Sequence, residues 1–239
     1  MNLNQKKAVV TGGDGGYGYG IAKVLKRAGC EVWITGRNPE KVEKAAEELG
    51  VHGLVADASK AKDWDRVMAE TEGFDVLINN AGFGGDLVPV ADQSDENIER
   101  VIATNLTGVI LGCTRAARHM IKQKSGSIIN ISSVCAYYAW PTWSVYTAAK
   151  AGLSKFSKGL YTELRPYGIR VMCLTPSWGN TDFCKTAHFS GASEDPDLAP
   201  KCTTPEQLGQ VVLNMLQTPD HLAMVDVTVI PTVQEISPM

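Results

Sequence analysis

The chain has 239 residues, of which 44% are hydrophobic and 21% charged. That is the balance of one large folded domain, and it excludes a disordered, collagen-like or coiled-coil chain. A net charge of −3 and a pI near 5.8 give no electrostatic pull toward nucleic acid or anionic lipid, and no apolar run reaches the length of a membrane span.

In chain order, short apolar runs read as strands: Lys7–Thr11, Glu31–Thr35, Gly53–Ala56, Phe74–Asn79, Ser127–Ser132, Ile169–Thr175 and Met224–Ile230. Most are continuous rather than alternating, which suits strands covered on both faces in a parallel sheet. Between them lie helical patterns. Pro39–Leu49 is amphipathic and follows Asn38, while Ser94–Lys122 and Ser144–Arg165 are long and regular. Strands alternating with helices predict a doubly wound α/β sheet of about seven parallel strands in a single domain, residues 1–239. The least regular stretch, Asn180–Thr203, contains Gly191, Pro196 and Pro200 and reads as a binding loop or lid over about 181–203.

The first seven residues carry no signal-peptide core. The six cysteines show no paired spacing, so reduced thiols in a cytoplasmic protein are expected. His52, His119, His188 and His221 are isolated from one another and from cysteine, so no metal site is expected.

The first strand runs into Thr11-Gly12-Gly13-Asp14-Gly15-Gly16-Tyr17-Gly18. Glycines between a strand and a helix let the backbone approach a ligand, and the helix N-terminus offers free N–H groups to a pyrophosphate. The spacing Gly12-x-x-x-Gly16-x-Gly18 departs from the usual G-x-G-x-x-G pattern. Tyr146 and Lys150 lie one helical turn apart on one face. An ammonium beside a phenol favours the phenolate, so the pair suits proton transfer near neutral pH. Taken alone, it is more often a core tyrosine with a surface lysine. Ser133 follows the strand Ser127–Ser132, at the strand ends where sites of open α/β sheets collect, and can bond the oxygen that Tyr146 protonates.

Together, in this order, these segments resemble the short-chain dehydrogenase/reductase family over nearly the whole chain. Thr11-Gly12-x-x-x-Gly16-x-Gly18 is similar to its cofactor turn, Asn79-Asn80-Ala81-Gly82 to its motif after the fourth strand, and Asn105 to its helix asparagine. Ser133, Tyr146 and Lys150 complete its tetrad. The resemblance implies NAD(P)-dependent interconversion of a secondary alcohol and its ketone. Tyr146 would be the acid–base group, Ser133 the hydrogen-bond partner of the substrate oxygen, Lys150 the group that lowers the tyrosine pKa and bonds the nicotinamide ribose, and Asn105 the holder of a water. It implies a cofactor site made of Gly12, Asp14, Gly16, Tyr17, Gly18, Arg37, Asp57, Ala58, Asn80, Ala81, Gly82, Tyr146, Lys150, Pro176, Gly179 and Thr181. Ser177 stands where the family usually has glycine after strand six, and the chain lacks the family's common Val-Asp-Gly-Gly ending.

Strand two ends in Gly36-Arg37 with no Asp or Glu to bond a ribose 2′-OH, so NADP(H) is favoured over NAD(H), although Asp14 argues the other way. The substrate is expected among Ser133, Tyr138, Trp140, Tyr146 and Trp178, with Phe83, Phe183 and His188 nearby. These aromatics suit a sugar-like polyol or an aryl ketone, with the core or a subunit interface as the other home for about half of such rings. The family also forms dimers and tetramers through the helices at 97–122 and 144–165, so a homo-oligomer, a homotetramer or a homodimer, is expected. The sequence leaves two other readings open. A non-catalytic dinucleotide sensor would share the fold but has no need of Tyr146 and Lys150. A sugar-nucleotide epimerase needs a C-terminal substrate domain larger than the segment after Thr175 allows.

Overall fold

Alternating strand and helix signals produce one seven-stranded sheet in the computed structural model of the chain, which describes residues 2–187 and 189–235. The elements in order are β1 (Lys7–Thr11), α1 (Gly16–Arg27), β2 (Glu31–Gly36), α2 (Pro39–Leu49), β3 (His52–Val55), α3 (Ala61–Thr71), β4 (Val76–Asn79), α4 (Asp95–Ile102), α5 (Gly108–Gln123), β5 (Gly126–Ile131), α6 (Ser144–Leu164), β6 (Ile169–Pro176), α7 (Phe183–Thr186), α8 (Pro205–Gln217) and β7 (Asp226–Val229). The sheet order is β3-β2-β1-β4-β5-β6-β7, with every pairing parallel. The winding reverses between β1 and β4, and a crevice opens there at the strand C-termini.

The continuous apolar runs are explained by the two covered faces. Val9, Leu77, Ile128 and Val171 pack on one side with Trp64, Val109, Met120 and Leu153. Their neighbours Val10, Ile78, Ile129 and Met172 pack on the other with Ile21, Leu25, Leu208 and Val212. Alternate residues of one strand thus serve two cores. The first and last long helices of the second core meet closely. A Cβ added to Gly20 in α1 would lie 2.2 Å from the carbonyl carbon of Pro205 in α8. Glu206 at the start of α8 pairs with Lys23 and, at 3.2 Å, with Arg27.

Three elements differ from the sequence expectation. β4 begins at Val76 because Asp75 turns its carboxylate to β1, accepting from Lys6 Nζ at 2.8 Å and from Lys7 N at 3.0 Å. β7 is shorter than Met224–Ile230, being an edge strand with β6 as its neighbour. The run Ser94–Lys122 is α4 and α5 joined by a π-helical turn, Ala103–Thr107. Asn105 sits in that turn and donates through Nδ2 to Val101 O at 3.0 Å and to Phe83 O at 2.9 Å. An extra residue in one turn is invisible to a hydrophobic period, and such turns cluster at functional sites. Among the described residues all six cysteines are buried free thiols, and no helix is long and apolar enough to cross a membrane.

Candidate active site

The crevice is built first by the glycine turn. Gly12 has φ 62, the left-handed conformation that glycine adopts without strain. A Cβ on Gly18 would lie 2.0 Å from Gly12 O, so α1 starts pressed against the end of β1. Gly18 shapes the turn from behind instead of lining the crevice. Asn80 clasps the same turn, donating through Nδ2 to Thr11 O at 3.0 Å and to Gly12 O at 3.2 Å. The N–H groups of Asn80 and Ala81 both reach Thr11 Oγ1 at 3.0 Å. The N-cap of α1 is Gly15, with no side-chain cap, so its first N–H groups are free to meet an anion.

A cavity of about 690 Å³ follows these strand ends. Gly12, Asp14, Gly16, Tyr17, Arg37, Asp57, Ala58, Asn80, Ala81, Gly82, Pro176, Gly179 and Thr181 all line it, as do Ser133, Trp140, Tyr146, Lys150 and Trp178. Asp57 is steadied by Ser59, whose N and Oγ reach its Oδ1 at 2.9 and 2.8 Å. Thr181 approaches the glycine turn, its Cβ 3.6 Å from the place of a Cβ on Gly16. Ser177, in the family's glycine position, carries a buried Oγ without a hydrogen-bond partner among the described residues.

Ser133 lies two residues past β5 and accepts from Cys135 N at 3.2 Å, which caps a short 3-10 turn. Tyr146 and Lys150 lie on successive turns of α6, both buried. Ser133 and Tyr146 both line the cavity, and Ser133 acts to lower the phenol's pKa. Lys150 Nζ donates to Ile131 O at 2.9 Å and lies 5.7 Å from the Tyr146 ring centroid. A Cβ on Gly82 would stand 2.6 Å from Asn105 Oδ1 and 3.5 Å from Lys150 Nζ, so both atoms converge behind Gly82. Asn105 Oδ1 is buried and has no hydrogen-bond partner among the described residues. Burial pushes the Lys150 ammonium down to about 8 and pushes the Tyr146 phenol up, with Ser133 pulling it the other way. Desolvation dominates the phenol here, and the lysine charge is directed to Ile131 O.

Beyond the tetrad the cavity is aromatic. Trp143 is its hub, with ring centroids 5.7 Å from Tyr146, 6.4 Å from Phe183 and 5.0 Å from Phe189. Trp143 and Phe189 were not foreseen. Trp143 stands three residues before Tyr146, a spacing that puts both on one side of the helix start. Tyr138 is corrected: it does not line the cavity but packs beside Trp140, centroids 6.3 Å apart. Phe83 and Phe183 line it. His188 lies outside the described residues.

Comparison with known proteins bears on this geometry. The profile of the family described as short chain dehydrogenase matches residues 6–189. The chain is a short-chain dehydrogenase/reductase. It is 36% identical to the 3-oxoacyl-(acyl-carrier-protein) reductase FabG of Chlamydia muridarum (strain MoPn / Nigg) over 232 residues, 93% of this chain and 88% of that one. It is 32% identical to carbonyl reductase family member 4 of Xenopus laevis over 229 residues, 92% of this chain and 96% of the relative. Among solved structures, a closed serine dehydrogenase complexed with NADP+ superposes with a TM-score of 0.89 at 26% identity, covering 98% of each chain. A 3-ketoacyl-(acyl-carrier-protein) reductase from Brucella melitensis complexed with NADH gives 0.84 at 28%, covering 95% of this chain and 97% of that one. This short-chain dehydrogenase is an NAD(P)-dependent oxidoreductase acting on CH–OH and carbonyl groups. The uncapped α1 N-terminus and the glycine cradle fit a dinucleotide.

Proposed function

We propose that this enzyme interconverts a small uncharged ketone and its secondary alcohol, with NADP(H) favoured over NAD(H), and that Ser133, Tyr146, Lys150 and Asn105 are its working groups. The observation carrying this reading is that Ser133, Tyr146 and Lys150 line the same cavity as the glycine turn. The bound dinucleotide supplies or accepts the hydride. The protein's own task is to hold the substrate oxygen and move a proton. In reduction, negative charge grows on the substrate oxygen; Ser133 Oγ–H donates to it and the Tyr146 phenol delivers the proton. A phenol held protonated by burial is suited to that role. Lys150 Nζ, with one N–H on Ile131 O, has others for a ribose hydroxyl, and Asn105 Oδ1 accepts from a water that links Lys150 to solvent.

The aromatic half of the cavity bears on substrate class. Trp140, Trp143, Trp178, Phe183 and Phe189 line it, whereas of the cations lining the cavity Arg37 and Lys41 belong to the end of β2 and the start of α2. A carboxylate or phosphate would lose its hydration there without compensation, whereas an aryl ketone or a sugar-like polyol would stack. The segment at 181–203 supplies Phe183, Cys184 and Phe189 to this wall, which supports its acting as a lid that excludes water. Residual turnover by Tyr146→Phe close to that of the wild type would sink the catalytic assignment. A panel of aryl ketones, polyols and acyl thioesters, each assayed with both cofactors, tests the substrate class. Aryl ketones or polyols should give the higher kcat/KM, and preference for a charged acyl thioester would overturn it.

A further inference from the structure

β2 ends at Gly36, and its sequence supplies no acid there. A carboxylate nevertheless occupies that place. A Cβ added to Gly36 would stand 2.5 Å from Asp14 Cγ and 2.6 and 2.7 Å from its two oxygens. Asp14, reaching across from the glycine turn, fills the notch over the Gly36 backbone, and any larger residue at 36 would expel it. In dinucleotide-binding folds an acid at the end of this strand accepts from the adenosine ribose 2′-OH. Here the acceptor stands in the same notch but is delivered by a different loop.

The cations lie beside it. Arg37 and Lys41 line the same end of the cavity, at the start of α2, where Asn38 is the N-cap. Among the described residues neither Arg37, Lys41 nor Asp14 takes part in an ion pair. The end of the cleft therefore presents two opposed devices. Two cations suit a 2′-phosphate. A fixed carboxylate accepts from a 2′-hydroxyl and repels a phosphate.

We propose that the enzyme binds both NADP(H) and NAD(H), and that Asp14 in the Gly36 notch sets the ratio by opposing Arg37. The proposal rests on the dinucleotide reading of the cavity. Its test is equilibrium binding, read as energy transfer from tryptophan to bound NADH or NADPH in the purified full chain. Wild type should bind both, NADPH no more than about tenfold the tighter. Loss of one hydrogen bond to a charged group is worth roughly tenfold or more in affinity. Asp14→Ala should therefore weaken NADH and tighten NADPH, and the milder Asp14→Asn should tighten NADPH with the notch still filled. Gly36→Ala should act in the same direction by displacing Asp14, and Arg37→Ala in the opposite direction. Thermal melts of each variant establish that it is folded. Two results overturn the proposal: Kd ratios in both Asp14 variants within twofold of wild type, or a wild type that already discriminates more than about a hundredfold. Failure of wild type to bind either nucleotide would instead overturn the dinucleotide reading and this proposal with it.

Discussion

Tyr146 and Lys150 face the same desolvation with opposite consequences. Burial keeps the phenol protonated and works to strip the proton from the ammonium, because in each case the neutral form tolerates the low dielectric better. The phenol is thus stocked with the proton that ketone reduction consumes. Tyr146→Phe should lower kcat by ~10²–10⁴, the usual contribution of a positioned acid, with little change in dinucleotide Kd; steady-state kinetics and a fluorescence titration check both halves. The lysine sets a pH limit. Its charged form prevails below about 8, so dinucleotide affinity should be full at pH 7 and weaken as pH rises through 8. A titration repeated from pH 6.5 to 9.5 should show that decline in wild type and a flat profile in Lys150→Met.

At the scale of elements, what the sequence made legible was what depends on neighbours along the chain. β1 and α2 lie where apolar period and capping residues put them, and Tyr146 faces Lys150 because helical spacing requires it. What it hid depends on contacts between distant segments. The π turn at Ala103–Thr107 is an example: its stabilising bond runs from Asn105 to Phe83 O, on a loop the helical pattern knows nothing of. Asn105→Ala would leave Phe83 O and Val101 O without that donor. Leaving buried acceptors unpaired costs roughly 1–3 kcal/mol. For a domain of this size that lowers Tm by about 2–4 °C per kcal/mol, which a melt of the unliganded protein would register. Gly18→Ala is the companion case. Its Cβ would enter Gly12 O at 2.0 Å, and both atoms are backbone-anchored. Overpacking of this kind costs about 1–3 kcal/mol, and because the turn itself must move, dinucleotide affinity should fall as well.

For the whole molecule, the strand order brings the ends of β1, β4, β5 and β6 to one rim, so residues from four remote stretches line one cavity. That convergence was legible from fold class, and Trp140 and Trp178 were found by it. The identity of the third wall was not. Trp143, just before α6, lines the cavity, whereas Tyr138 packs beside Trp140 and does not. Side-chain direction in a loop is set by tertiary packing, which no spacing encodes. Alanine at Trp140 or Trp178 should raise KM or alter substrate preference more than it lowers Tm, as for half-exposed rings facing a cavity. Trp143→Ala should do both, because its ring is packed against Tyr146, Phe183 and Phe189 at once. If all three only depress Tm while kinetics per folded molecule hold, they are core residues and the cavity is not the substrate chamber.

The seam between α1 and α8 has a consequence for how the protein is made. The glycine turn leaves the ribosome well before Pro205 and Glu206, on which the helix it opens docks. A nascent chain must therefore carry the side of α1 that meets α8, with Ile21 and Leu25, incompletely covered until α8 has emerged. Translation intermediates arrested before Pro205 should bind chaperones and retain no nucleotide, and ribosome-bound chains that extend past β7 should do the reverse. Folding of the cradle that follows β1 is committed only when α8 arrives.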